Sequence, residues 1–286
     1  LSLRQDLDST APGIVENVLD RTKSVEALEV LGGVLGGDAR LRVRGVNEGG
    51  GVLVLGRSTG SLIVNDDRDG GTAQTSLVGE SHADGARVEV GRGFQVGGET
   101  AVGGRGTVAT TGQTTSGRGG DATSRSVGIA HGDAAVDVSD FAEGGEGGGF
   151  SRRASSGDAS GGRGGDATSF ASGSNAGASR VDVLSTAFGG EGGRGLGEGR
   201  RGGTGGDAQA SGWGESTGGA DVFLRVRADG GRGGRAATTD DASRGLGGDA
   251  FVTDVGGSTS GTLTIDATAN GGWFGLDSDG RSTVGL

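Results

Sequence analysis

What most limits the folds open to this chain is an interval. The tetrapeptide GGDA begins at Gly119, Gly164, Gly205 and Gly247, and once earlier at Gly36. A second glycine cluster begins at Gly144 (GGEGG), Gly189 (GGEGG), Gly230 (GGRGG) and Gly271 (GGWFG). From each of the last four GGDA starts to its partner cluster is 25, 25, 25 and 24 residues. Chance glycine richness does not hold a distance so constant; internal repetition does. Eight residues before each second cluster begins an alternating segment: VDVSDFAE from Val136, VDVLSTAF from Val181, VFLRVRAD from Val222 and LTIDATAN from Leu263. Alternating β-branched and polar residues predict half-buried strands. The same lead-in stands earlier in LRVRGVNE from Leu41 and LIVNDDRD from Leu62.

Those two early segments lie 21 residues apart, about half of the later spacings of 45, 41 and 41. A coil of roughly 20–21 residues, with strong and weak coils alternating, accounts for both spacings. Composition agrees with a thin interior: 70 of 286 residues are glycine and 31% are hydrophobic, too little apolar surface for a conventional core. The expected fold is all-β, a glycine-rich repetitive β-solenoid over residues 36–275. About twelve coils spaced ~4.8 Å apart would make a rod of order 55–60 Å. A bundle of polyproline-II-like helices, or strands joined by such glycine-rich connections, is the competing arrangement, because that helix packs tightly only where glycine allows it. Pro12 and the near-helical spacing of Ile14, Val15, Val18 and Leu19 predict a capping helix within residues 1–35. An extended segment docking onto a neighbouring subunit is its rival. Residues 276–286 are left as a C-terminal tail or cap.

Charge and composition exclude several functions. The net charge is −11 and the only lysine is Lys23, so there is no basic stripe to hold nucleic acid. No apolar run approaches the ~18 residues of a membrane-spanning helix. GGRGG is not a phosphate loop, since no GxxxxGK[ST] occurs. His82 and His131 stand in glycine-rich turns with no Ser/Asp constellation beside them. A chain that opens on Leu1 is expected to be a processed piece, as signal removal during secretion would leave. Together these predict a non-enzymatic protein.

Two motifs point towards calcium. NDDRDG from Asn65 matches the opening of a calcium loop, with Asn65, Asp67 and Asp69 as candidate ligands. Ser76 stands where such a loop places its bidentate Glu, so a solvated acidic corner is the plainer reading. GGRGGDATS from Gly161 and GGTGGDAQA from Gly202 resemble the calcium-binding nonapeptide of repeats-in-toxin proteins, but stand about 42 residues apart rather than in tandem. Their plainer reading has Asp166 and Asp207 closing turns through nearby backbone N–H groups. No cofactor is expected, calcium at one of these two motifs being the alternative.

The alternation of GGxGGDA, a short β segment and GGxGG resembles the glycine-rich repeat regions of secreted bacterial filamentous-haemagglutinin-like adhesins. The resemblance covers roughly residues 36–275 and is one of repeat style. It implies an extracellular or cell-surface rod with no catalytic residues to carry over. Its partners would be further copies of itself in a filament, sheath or matrix, or, for a monomeric adhesin, a surface polysaccharide. Trp273 and Phe274 place bulky rings where other repeats have glycine; with Ile14 and Val18 they are the expected assembly contacts.

Overall fold

A computed structural model describes residues 6–8, 15–21, 28–31, 37–61, 69–91, 100–108, 114–149, 159–195, 200–236 and 244–275. Two parallel sheets run side by side. Sheet I holds seven strands: β2 (Val15–Arg21), β4 (Ala39–Asn47), β7 (Ala73–Ser81), β10 (Ala122–Ala130), β12 (Ala167–Asn175), β14 (Ala208–Ser216) and β16 (Ala250–Ser258). Sheet II holds ten: β1 (Asp6–Asp8), β3 (Leu28–Leu31), β5 (Val52–Val54), β6 (Gly56–Thr59), β8 (Arg87–Val90), β9 (Ala101–Val102), β11 (Ala135–Glu143), β13 (Val181–Phe188), β15 (Val222–Asp229) and β17 (Leu263–Asn270). From β10 onwards each repeat contributes one strand to each sheet, whereas in the two repeats before it the sheet II strand is split, into β5 and β6 and into β8 and β9; strands pair with their equivalents in the neighbouring repeats. Thus β10, β12 and β14 pair in register through Ala122, Ala167 and Ala208, and β11, β13 and β15 through Val136, Val181 and Val222.

The glycine clusters form a third layer, and it is not β-structure. Gly145 and Gly148 donate to the carbonyls of Gly120 and Gly117, at 2.8 Å each, so those two segments run antiparallel. Gly165 and Gly162 donate in turn to Gly145 and Gly148, at 2.8 and 2.9 Å. Meanwhile Gly144 and Gly147 donate to Phe188 and Glu191 of the next repeat, at 2.9 and 2.8 Å. Bonding positions therefore recur every three residues, not every two as along a strand. Each GGxGG segment thus bonds both to the facing segments and to its own equivalent one repeat on.

The interior is narrow and graded. Near the short turns joining the two strands of a repeat, sheet II supplies Val88 and Val90, Val136 and Val138, Val181 and Val183, and Val222 and Leu224, all at most 3% exposed. They face a glycine column in sheet I, Gly79, Gly128, Gly173 and Gly214. A Cβ on Gly128 would lie 2.8 Å from Val138 and 2.9 Å from Val136. At the opposite edge, beside the glycine layer, alanine meets alanine: Ala122, Ala167 and Ala208 lie with Ala142, Ala187 and Ala228. Small residues on one sheet thus make room for branched ones on the other, and dense packing follows without aromatic rings.

This architecture corrects the expected all-β solenoid of 20–21-residue coils. From Ala122 onwards the repeating unit is the long one of 41–45 residues, carries two strands, and routes them into separate parallel sheets. The glycine clusters are lengths of chain in a layer of their own, bonded at every third residue. The seven strands of sheet I give six steps, a stack of about 29 Å, roughly half the expected rod. The N-terminal capping helix is also corrected: Val15–Arg21 and Leu28–Leu31 are strands, and no helix occurs among the described residues. The edge of β4 offers β2 a seven-residue parallel partner, from Val15↔Ala39 to Arg21↔Gly45, and such pairing overrides a weak helical preference. Strands β1–β3 therefore extend the same two sheets.

Substitution in the glycine layer tests its packing. A Cβ at Gly165 would stand 2.0 Å from the Gly120 carbonyl oxygen, whereas one at Gly49 meets nothing within 4 Å. Gly165→Ala is expected to cost about 3 kcal/mol or more and Gly49→Ala less than about 0.5 kcal/mol, measured by urea unfolding.

Candidate functional site

The C-terminal end of the stack leaves core positions uncovered. Leu263 and Ile265 of β17 share register columns with Val222 and Leu224 of β15. The two β15 residues are 0% and 2% exposed, whereas Leu263 and Ile265 are 39% and 44% exposed. Strand β16 likewise ends sheet I, with its outer edge unpaired among the described residues. Trp273 stands beside this end in the glycine layer, about half exposed, where its carbonyl accepts the N–H of Gly233 at 2.8 Å. Phe274 next to it is partly buried. Val18 lies in β2, opposite Arg42 of β4; Ile14 lies outside the described residues.

The aspartates of the GGDA motifs form a column. The Oδ1 atoms of Asp121, Asp166 and Asp207 accept the backbone N–H of Asp166, Asp207 and Asp249, each at 2.8 Å. Arg118 donates to Asp121 at 2.6 Å and Asp166 at 3.0 Å, while Arg163 reaches Asp166 and Asp207 at 2.7 and 2.9 Å. The carboxylates thus tie one repeat to the next rather than closing their own turns. Their oxygens are held by protein donors. Of the calcium candidates, Asn65 and Asp67 lie outside the described residues. The Oδ1 of Asp69 accepts the Arg118 N–H at 2.7 Å, again a bond to the following repeat.

A buried polar thread runs between the sheets. Asp140 on β11 is 1% exposed, and its Oδ1 accepts the hydroxyls of Ser124 and Ser126 at 2.7 and 2.6 Å. Its Oδ2 accepts the hydroxyl of Ser169 at 2.6 Å and the N–H of Phe170 at 3.2 Å. Ser169 continues to Ser185 at 2.8 Å. In the other direction Ser124 bonds Thr100, whose carbonyl accepts from Thr75 at 2.5 Å. Burial pushes the Asp140 carboxyl up to about 6, against the pull of its four donors. Enclosed by hydroxyls and sheet, it has no route to a solvent-borne substrate.

A second cluster lies on the outer face of sheet I. His82 follows β7 and His131 follows β10; their rings stack 4.2 Å apart at 13°. Both Nε2 atoms converge on Glu80 Oε1, at 3.3 Å from His82 and 2.7 Å from His131. Arg44 donates to the other oxygen, Oε2, at 2.9 Å. Burial, the largest single influence on Glu80, works to raise its pKa, but the hydrogen bonds and charges of His131 and Arg44 outweigh it and hold the carboxyl below its ordinary range. The two histidines sit far apart in sequence, and sequence reasoning did not join them. The signal was present in VGESH (78–82) and VGIAH (127–131): identical spacing from a shared Val-Gly places both rings at one register position.

The chain matches no family model, no curated protein and no solved structure.

The Asp140 thread makes a pH prediction. With a folded pKa near 6 against an ordinary 3.8, the folded state binds this proton more tightly than the unfolded one. Its stabilising contribution is complete below pH 3.8 and is lost as pH rises through about 6, on the order of 3 kcal/mol in all. Asp140→Asn abolishes that dependence. Its stability relative to the parent chain is expected to rise by about this amount between pH 4 and pH 7, measured by denaturant titration at each pH.

Proposed function

We propose that this is a non-enzymatic, secreted structural protein that assembles end to end into an extracellular filament, sheath or matrix. The observation that carries this reading is the exposure of Leu263 and Ile265 in register columns whose previous members are sealed. A further layer is what those side chains lack. The parallel edges at β16 and β17, unpaired among the described residues, are templates for another strand. Every strand pair among the described residues is parallel, and among them the opposite end of the stack is formed by β1 and β2. A second copy added head to tail therefore continues both sheets in the same direction. Such a contact is heterologous and does not close on itself, and repetition of it makes a filament. The acidic net charge of −11 keeps single copies soluble before they dock.

A second reading, a ligand-binding stalk, draws on the outer face of sheet II. There a groove of about 390 Å³ is lined by Arg87, Asp137, Arg180, Phe223 and Arg225. Its charges are largely paired with one another, as in Arg87–Asp137 at 2.8 Å and Arg225–Asp266 at 3.3 Å, and Arg180 lies over the Phe223 ring at 4.2 Å. An aromatic ring among paired charges on a flat strand face suits a surface polysaccharide.

Filament formation is tested by electron microscopy and sedimentation of the purified chain against the double variant Leu263→Asp, Ile265→Asp. The parent is expected to form concentration-dependent filaments with a ~4.8 Å axial reflection, and the variant to remain monomeric. A parent that stays monomeric across concentration, salt and calcium, or a variant that assembles equally well, removes the proposal.

A further inference from the structure

We propose that Glu80, His82 and His131, with Glu48 as fourth ligand, form a binding site for one divalent transition-metal ion of the zinc type, which clips three successive repeats together. This inference does not depend on filament formation.

The stacked strands create the site by bringing equivalent positions into one column. The N–H of His82 donates to the Asn47 carbonyl at 3.0 Å, and the N–H of His131 to the Ser81 carbonyl at 2.9 Å. Glu48, His82 and His131 are thus the residues that follow corresponding ends of β4, β7 and β10. Glu80 reaches in from β7, two residues before His82. The ligand atoms of Glu80, His82 and His131 all lie within 4.8 Å of one another, and Glu48 Oε1 is 4.0 Å from His82 Nε2.

The donor set selects the ion. Bonds of ~2.0–2.1 Å to nitrogen and oxygen put neighbouring ligands of a tetrahedral zinc about 3.3 Å apart. The distances of 3.3 and 2.7 Å from Glu80 Oε1 to the two Nε2 atoms are on that scale. Imidazole nitrogens suit zinc, copper and nickel, whereas calcium takes six to eight oxygens; this site is therefore of a different kind from the one expected at Asn65, Asp67 and Asp69. The chain has no cysteine to offer a competing thiolate. Arg44 holds Glu80 Oε2 at 2.9 Å, which orients Oε1 towards the histidines as outer partners of metal ligands do. Two glutamates offset the charge of the ion. Glu80 is largely covered, and the two rings are 36% and 46% exposed, so an ion can enter from solvent.

The test is titration of the tag-free chain with Zn²⁺ by calorimetry, with Co²⁺ as a visible probe. One ion per chain, four-coordinate Co²⁺ absorption and a melting temperature that rises with free Zn²⁺ are expected. His131→Gln and Glu80→Gln should each lower Zn²⁺ affinity by more than the roughly 10–100-fold that loss of an outer partner costs. Arg44→Gln should fall within that 10–100-fold range. Circular dichroism of each variant verifies that the strands persist. Absence of saturable binding overturns the proposal. So does binding that survives His131→Gln and His82→Gln unchanged, or binding lost instead on Asp69→Asn, which would move the ion to the acidic corner.

Discussion

The fold depends on the approach of backbone to backbone, between glycine residues in the third layer. Bonding positions come every three residues there, and at each the neighbouring carbonyl occupies the space a side chain would need. A Cβ at Gly145 would be 2.0 Å from the Gly104 oxygen, and one at Gly190 2.0 Å from the Gly145 oxygen. The rest follows from this approach. Segments that touch through their backbones use their amide groups as the cohesive element, each bond contributing about 1 kcal/mol net. With the glycine layer fixed, the two strands of each repeat leave it at a set separation. That separation is small, so alanine must face alanine beside it and branched residues fit only farther out, over the Gly79–Gly214 column.

Side chains then lock one repeat to the next. The Asp121–Asp166–Asp207 column spends each carboxylate on the following backbone N–H and on arginines that span two repeats. The Asp140 thread does the same inside, where hydroxyls of β10 and β12 converge on one carboxylate. The histidine pair does so outside. All three are in-register ladders, the natural product of stacking similar sequences at a fixed step. Their differences record where the repeats diverge: Asp140 is followed in its column by Ser185, then Val226, so the polar interior gives way to an apolar one towards the exposed end.

Much of this was legible in the sequence, and the losses have physical causes. The strands from Val136, Val181, Val222 and Leu263 announce themselves by alternating β-branched residues. Their partners in sheet I do not: ATSRSVGIA, ATSFASGSN and AQASGWGES are built from Ala, Ser and Gly, which carry weak strand preference and are chosen here to leave room for valine. Missing them made the unit look like a coil of 20–21 residues and hid the second sheet. Position 15–21 was misread because Val15, Val18 and Leu19 fit a helical spacing, while the partner that settles the matter, β4, lies outside any local window. The column of exposed core residues was invisible for the same reason, since exposure of Leu263 depends on what stands above it. His82 and His131 needed the register before they could be seen as neighbours.

If backbone approach governs the fold, the glycine layer is hydrogen-bonded structure as secure as the sheets. Native-state amide exchange followed residue by residue tests it most directly. The N–H groups of Gly145, Gly165, Gly190 and Gly206, each bonded to another glycine carbonyl, should be protected to within about tenfold of the central strand amides in β12 and β13, and should lose that protection together with them. Exchange of these glycines at the rate of an unstructured chain, while the strands remain protected, would mean that the sheets stand without the glycine layer.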